Sequence, residues 1–137
     1  MAEHSLVRVE VTHDLYTPGL LRSKPERIFV FGDNLLRKGT AGQAVIRFEP
    51  NAFGVPTKRL PSMERSAFFS DRDDEINAIV TALRQLYRIA LTNTVVFPAT
   101  GLGTGLARMA KCSPEAYSLM CSILKEHFGF DQAEPED

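Results

Sequence analysis

Tryptophan is absent from the 137 residues, cysteine occurs twice and histidine three times. Cys112 and Cys121 are too few for a disulfide framework and read as core or inert thiols. With the scattered histidines they do not give the ligand spacing of a metal site, so neither metal nor cofactor is expected. Neither sign of charge dominates: 16 Lys and Arg against 17 Asp and Glu leave a net charge of −1. That removes the global basic field that draws a protein to nucleic acid, and sequence-specific DNA reading is not expected. No apolar run approaches the ~20 residues of a membrane-spanning helix, so no membrane partner is expected. Residues 1–5, Met-Ala-Glu-His-Ser, lack the basic and apolar regions of a signal peptide, and a reduced cytoplasmic setting is the default expectation. There is no Gly-Lys-Ser or Gly-Lys-Thr after a glycine loop, no serine or cysteine triad and no paired-carboxylate arrangement.

What is present is an ordinary globular composition, 44% hydrophobic and 24% charged, in a length that suits one domain. The domain is placed at residues 1–130, and the acidic segment 131–137 reads as a frayed tail. Residues 6–11, Leu-Val-Arg-Val-Glu-Val, alternate as a half-solvated strand does. Pro18, Gly19 and Pro25 mark 16–26 as a connection with a helical turn at Leu20 and Leu21. The run 27–31, Arg-Ile-Phe-Val-Phe, suits a strand buried on both faces. A short helix is predicted from Ala41, with Ala44, Val45 and Phe48 inward, ending before Pro50. Residues 51–58 read as a strand, and 59–69 as a loop anchored by Phe68 and Phe69.

The clearest helix follows, capped by Ser70 or Asp71, with Asp73, Asp74 and Glu75 in the first turn where the helix dipole favours them. Ile76, Ile79, Val80, Leu83, Leu86 and Tyr87 form its apolar stripe. Strand 94–97 comes next. The last helix is predicted to start with Ser113 as N-cap and Pro114 at its first position. It should bury Leu119, Met120, Ile123 and Leu124, and Gly129 sits where a C-terminal cap belongs. Strands alternating with helices give an α/β class, a three-layer α/β/α arrangement around a mostly parallel or mixed sheet.

Two glycine-bearing loops leave these strands. One, Pro98-Ala99-Thr100-Gly101-Leu102-Gly103-Thr104-Gly105-Leu106, can aim successive N–H groups at an anion. The other runs from Gly32, Asp33 and Asn34 to Gly39, Thr40, Ala41, Gly42 and Gln43. In parallel sheets ligands bind at the carboxyl ends of strands, and Asp14 and both loops fall at such ends. As bland alternatives, the glycines would make tight turns only, Asn34 would serve a left-handed turn, and Asp14 would close an Asx turn. Lys58 and Arg59 read as solvated side chains, and Arg108 and Lys111 as better placed but secondary.

This order, strand–Gly-Asp-Asn–glycine loop–helix and later strand–Pro-Ala-Thr-Gly-x-Gly-x-Gly, resembles a compact, divergent macrodomain. The resemblance implies binding of ADP-ribose or a related nucleotide diphosphate at loops 32–43 and 98–106. It places Asp14 at the adenine amine, Asn34 at the distal ribose beside Gly39, Thr40, Ala41, Gly42 and Gln43, and the diphosphate on Thr100, Gly101, Leu102, Gly103, Thr104 and Gly105. It further implies hydrolysis of an ADP-ribosyl linkage, with Asn34 and Asp33 as the catalytic candidates and the ADP-ribose free or attached to protein or nucleic acid. The residues themselves leave two other classes open: a sensor that holds an NAD-derived or other signalling nucleotide without turnover, and an unrelated Rossmann-like nucleotide-binding protein.

Overall fold

A computed structural model describes residues 6–132. Its strands are β1 (Arg8–Thr12), β2 (Arg27–Asn34), β3 (Ala52–Lys58) and β4 (Thr94–Pro98), and its α-helices are α1 (Pro18–Ser23), α2 (Asp73–Ala90), α3 (Met109–Cys112) and α4 (Pro114–Phe128). Two short 3₁₀ turns, Gly42–Ile46 and Arg65–Ala67, complete the elements. The chain is an α/β protein with a four-stranded sheet in the order β1-β4-β2-β3. Every pairing is parallel, so all four carboxyl ends share one rim.

Successive strand residues point to opposite faces, and the two hydrophobic clusters divide accordingly. Val30, Val55, Val95 and Phe97 face α2 and α4, meeting Ile79, Leu83, Leu86, Met120, Leu124 and Phe128. Phe29, Phe31 and Val96 face the other way, against Tyr16, Leu21, Ala44 and Ile46 from α1 and the first 3₁₀ turn. Burial on both sides explains why β2 and β4 read as continuous apolar runs.

The backbone connections then open a crevice. β2 pairs with β4 only as far as Phe29↔Val96, although β2 runs on to Asn34 and β4 to Pro98. Beyond that point the chain leaves β2 toward the face that holds Ala44 and Ile46, and leaves β4 toward the face of α4. Adjacent strands whose connections go to opposite faces are a topological switch point, where α/β sheets bind ligands. The Tyr16 hydroxyl donates to Val30 O at 2.7 Å and lies 3.3 Å from Val96 O at the start of the split. Its burial pushes the phenol far above the ordinary tyrosine range.

Several elements differ from the sequence reading. The segment predicted as a helix from Ala41 is a 3₁₀ turn that buries Ala44 and Ile46, while Val45 and Phe48 are exposed, Phe48 at 80%. The turn ends at Ile46, so Phe48 lies beyond it and no continuous helical face carries Val45 and Phe48 inward. α2 starts at Asp73 with Arg72 in the cap position, one residue past the expected Asp71. Glu75 in its first turn reaches back to the entering chain: its carboxylate accepts from the cap residue Arg72 N at 3.0 Å and from Ser70 N at 2.7 Å. Asp71 caps a different helix: its carboxylate accepts from Ala116 N at 2.8 Å and Glu115 N at 3.3 Å in the first turn of α4. Ser113 is the cap residue of α4 by position, but its hydroxyl donates back to Met109 O. α4 buries Ala116, Tyr117, Met120, Leu124 and Phe128, so Leu119, expected inside, is half exposed and Ile123 only partly covered. Gly129 ends α4 in the left-handed conformation, as predicted.

Gln132 is buried against the core, so the packed chain extends two residues past the expected boundary at 130; the remainder of the expected tail, 133–137, lies outside the described residues. Among the described residues no helix is long and apolar enough to cross a membrane.

Candidate functional site

A cavity of about 330 Å³ lies over the carboxyl ends of β2 and β3, at the lower end of the size range of small-molecule sites. Its lining brings together Gly32, Asp33 and Asn34 at the end of β2, Gly39 to Ala44 of the following loop (Thr40 excepted), and Gly103, Gly105, Leu106 and Ala107 of the second loop. Lys38 lines it from the first loop, and Thr57, Lys58, Pro61, Ser62 and Met63 complete the wall from the β3 side. The two loops singled out in the sequence therefore meet at one site. Thr40, Thr100, Gly101, Leu102 and Thr104 belong to those loops without lining the cavity, and Asp14 is exposed beyond β1 with its N–H on Thr12 Oγ1 at 3.1 Å.

The first loop is held by its own polar side chains. Asp33 is buried, and its Oδ1 accepts from Asn34 N at 2.7 Å and from the Arg47 guanidinium at 2.6 Å. Arg47 also donates to Gly39 O at 2.8 Å and Lys38 O at 3.1 Å and lies over the Phe31 ring at 5.5 Å. The Asn34 side-chain amide donates to Lys38 O at 2.7 Å, so it closes the turn that reverses the chain after β2. At Gly54 on β3, an added Cβ would lie 2.5 Å from Asp33 Oδ2, so this carboxylate packs where a glycine leaves it room. Arg47 had no sequence signal, because its partner lies 14 residues away across a turn.

Gln43 joins the two loops. Its Oε1 accepts from Gly32 N at 2.9 Å and its Nε2 donates to Gly101 O at 2.9 Å. One amide side chain thus spans the gap where β2 and β4 no longer pair, doing the work of the missing ladder.

In the second loop Gly101 and Gly103 adopt φ of +88° and +77°, which L side chains rarely reach. Gly101 N donates to Pro98 O at 2.9 Å, and Leu102, wholly buried, exchanges bonds with Gln132: its N–H to Oε1 at 2.6 Å and its carbonyl from Nε2 at 3.2 Å. From Gly103 to Ala107 the pattern changes. Gly103, Gly105, Leu106 and Ala107 all line the cavity, and their backbone N–H groups donate to no described residue. Unspent donors grouped along one loop at a cavity wall are an anion-binding feature.

The wall from β3 carries a cation. Lys58 Nζ donates to Ser62 O, lies 3.7 Å from Met63 Sδ and sits 5.0 Å from the Phe68 ring centroid. Partial burial, with the Arg108 charge nearby, lowers its pKa from the ordinary lysine value. The neighbouring Arg59 faces away, paired with Asp74 at 2.6 Å and with the fully buried Glu75 at 2.6 Å. Its guanidinium holds the Asp74 carboxyl below the usual range. No group of three His, Cys, Asp or Glu among the described residues could hold a metal ion.

A family of unknown function (DUF7831) matches residues 11–123. The chain belongs to this family. The matched residues contain β2, β3 and β4, both glycine loops and every residue of the cavity wall. No curated protein and no solved structure matches the chain.

Proposed function

We propose that this protein binds a nucleotide diphosphate, ADP-ribose or a close relative, in the crevice between the loops that follow β2 and β4. The observation that carries the reading is the set of unspent backbone amides from Gly103 to Ala107 on the cavity wall. Pyrophosphate oxygens are the partners such a set suits, since each amide adds a hydrogen bond without adding a titratable group. Pro61, Met63 and Leu106 supply apolar surface against which a base or sugar can pack. The macrodomain-like order of motifs supports ADP-ribose among the diphosphates; Asn34, Gly39, Ala41, Gly42 and Gln43, which that resemblance assigns to the ribose, line the same cavity.

Binding without turnover fits the side chains better than hydrolysis. Asp33 is the single carboxylate of the cavity wall, and its Oδ1 is engaged by Arg47 and by Asn34 N. A general base must be free to take a proton from water, and this carboxylate is held as half of a buried ion pair. The Asn34 amide is likewise spent on Lys38 O. A sensor or carrier of the nucleotide is therefore the reading favoured here over an ADP-ribosyl hydrolase.

Calorimetric titration with ADP-ribose, ADP and NAD tests the reading. Saturable binding of ADP-ribose is the expected result, and no detectable binding at millimolar ligand overturns it. Incubation with an ADP-ribosylated protein, with detection of free ADP-ribose, separates the two classes. Release that is lost in Asn34→Ala or Asp33→Asn would replace the sensor with a hydrolase.

A further inference from the structure

We propose that Lys58 and Arg108 form a cationic clamp, gathered on the Phe68 ring, for the phosphate groups of the ligand held in the cavity. Four Lys or Arg side chains among the described residues are partly buried: Arg27, Arg47, Lys58 and Arg59. Arg27 is paired with Glu10, Arg47 with Asp33, and Arg59 with Asp74 and Glu75. No described carboxylate pairs with Lys58. Its neighbours are a carbonyl oxygen, a thioether and an aromatic face, which tolerate an ammonium without neutralising it.

The second charge near it has the same sign. The Arg108 guanidinium lies 6.0 Å from the centroid of the same Phe68 ring, and no described carboxylate pairs with it. Arg108 is exposed and does not itself line the cavity, but it directly follows Ala107 of the cavity wall. It holds a φ of +47°, a left-handed conformation that costs a non-glycine residue free energy. A partly buried lysine with no described carboxylate and a second cation on the same ring leave positive charge uncompensated among the described residues. One anion between them would offset the charge. The amides of Gly103 to Ala107 and these two cations would then take the phosphates from two sides. The clamp rests on the nucleotide reading for the ligand's identity but not for its charge, since any compact polyanion would engage it.

The test uses the full chain and three probes: inorganic pyrophosphate, ADP-ribose and adenosine. Wild type, Lys58→Met and Arg108→Gly are titrated by calorimetry, with a thermal melt of each. Arg108→Gly puts glycine at a positive φ, so its Tm should hold or rise while binding falls, which separates lost contact from lost fold. The expected result is binding of pyrophosphate and ADP-ribose weakened about tenfold or more in each variant, the effect of removing one charge-assisted contact. If ADP-ribose binds wild type and both variants equally, the clamp is overturned and the nucleotide reading stands. If pyrophosphate binds through both residues and ADP-ribose binds no better than it, the clamp stands and the nucleotide reading falls. If neither pyrophosphate nor ADP-ribose binds, both are overturned.

Discussion

At the scale of single residues, the cavity depends on one buried ion pair. Arg47 and Asp33 are 9% and 8% exposed at the side chain, and Arg47 also holds the carbonyls of Lys38 and Gly39. Such a pair contributes little relative to apolar packing, but removing one partner strands the other charge away from water. Arg47→Met should therefore lower the unfolding free energy by about 3 kcal/mol, and the double variant with Asp33→Asn should recover part of the loss. Urea denaturation of the wild type and both variants checks this. A loss under ~1 kcal/mol in the single variant, the range of solvent-screened pairs, would show that the pair carries no such role. The sequence showed Asp33 and Asn34 as polar residues at a strand end, and their placement on the cavity follows that reading. The Asn34 bond to Lys38 O is local to the turn after β2, whereas the pairing of Asp33 with Arg47 was not legible, because it arises only once the 3₁₀ turn folds back over β2.

At the scale of elements, the second glycine loop separates glycines that the fold requires from one that it leaves open. A Cβ at Gly103 would meet the Met109 and Met120 side chains, and the residue holds φ +77°. At Gly105 an added Cβ meets nothing within 4 Å, and its φ lies outside the positive range. Gly103→Ala should thus destabilise the protein by about 1–3 kcal/mol through strain and overpacking, whereas Gly105→Ala should leave the melting temperature unchanged. If a diphosphate approaches this backbone as proposed, Gly105→Ala will still weaken ADP-ribose binding. Equal melting temperatures for the two variants would contradict the assignment.

The sequence made these elements legible wherever a strong period was present. The stripe Ile79, Leu83, Leu86 on α2 and the apolar runs of β2 and β4 are determined by burial on a regular lattice. It misled where the lattice changed or where helix faces competed. Residues 42–46 wind with a 3₁₀ period, α4 turns its Ala116 and Tyr117 side toward the core, and its first turn is capped by Asp71 from outside the helix. A cap supplied by a residue 45 positions away has no local signature.

At the scale of the whole molecule, the position of the glycine loop is set from the far end of the chain. Gln132 lies beyond residues 11–123 of the family match, is buried, and joins Leu102 to α4 through Tyr117 Oη at 3.2 Å and Cys121 Sγ at 3.5 Å. Gln43 grips the same loop from the opposite side at Gly101 O. The loop is thus held at two consecutive residues, Gly101 by β2's connection and Leu102 by the segment after α4, while the amides from Gly103 onward stay unspent. Removing Gln132 leaves the buried Leu102 N–H and C=O without partners, at a cost of about 1–3 kcal/mol for an orphaned group. Gln132→Ala should lower the melting temperature by roughly 3–8 °C for a chain of this size. Its amide-exchange signature should be local. Protection should fall at Leu102 and remain at Val30 and Leu83, which sit in the core on β2 and α2. Ligand affinity should fall further than stability alone requires, because a loosened loop must be ordered again when it binds. Uniform loss of protection across β2, α2 and the loop would mean that Gln132 stabilises the fold as a whole. Unchanged protection at Leu102 would mean that Gln43 suffices to hold the loop.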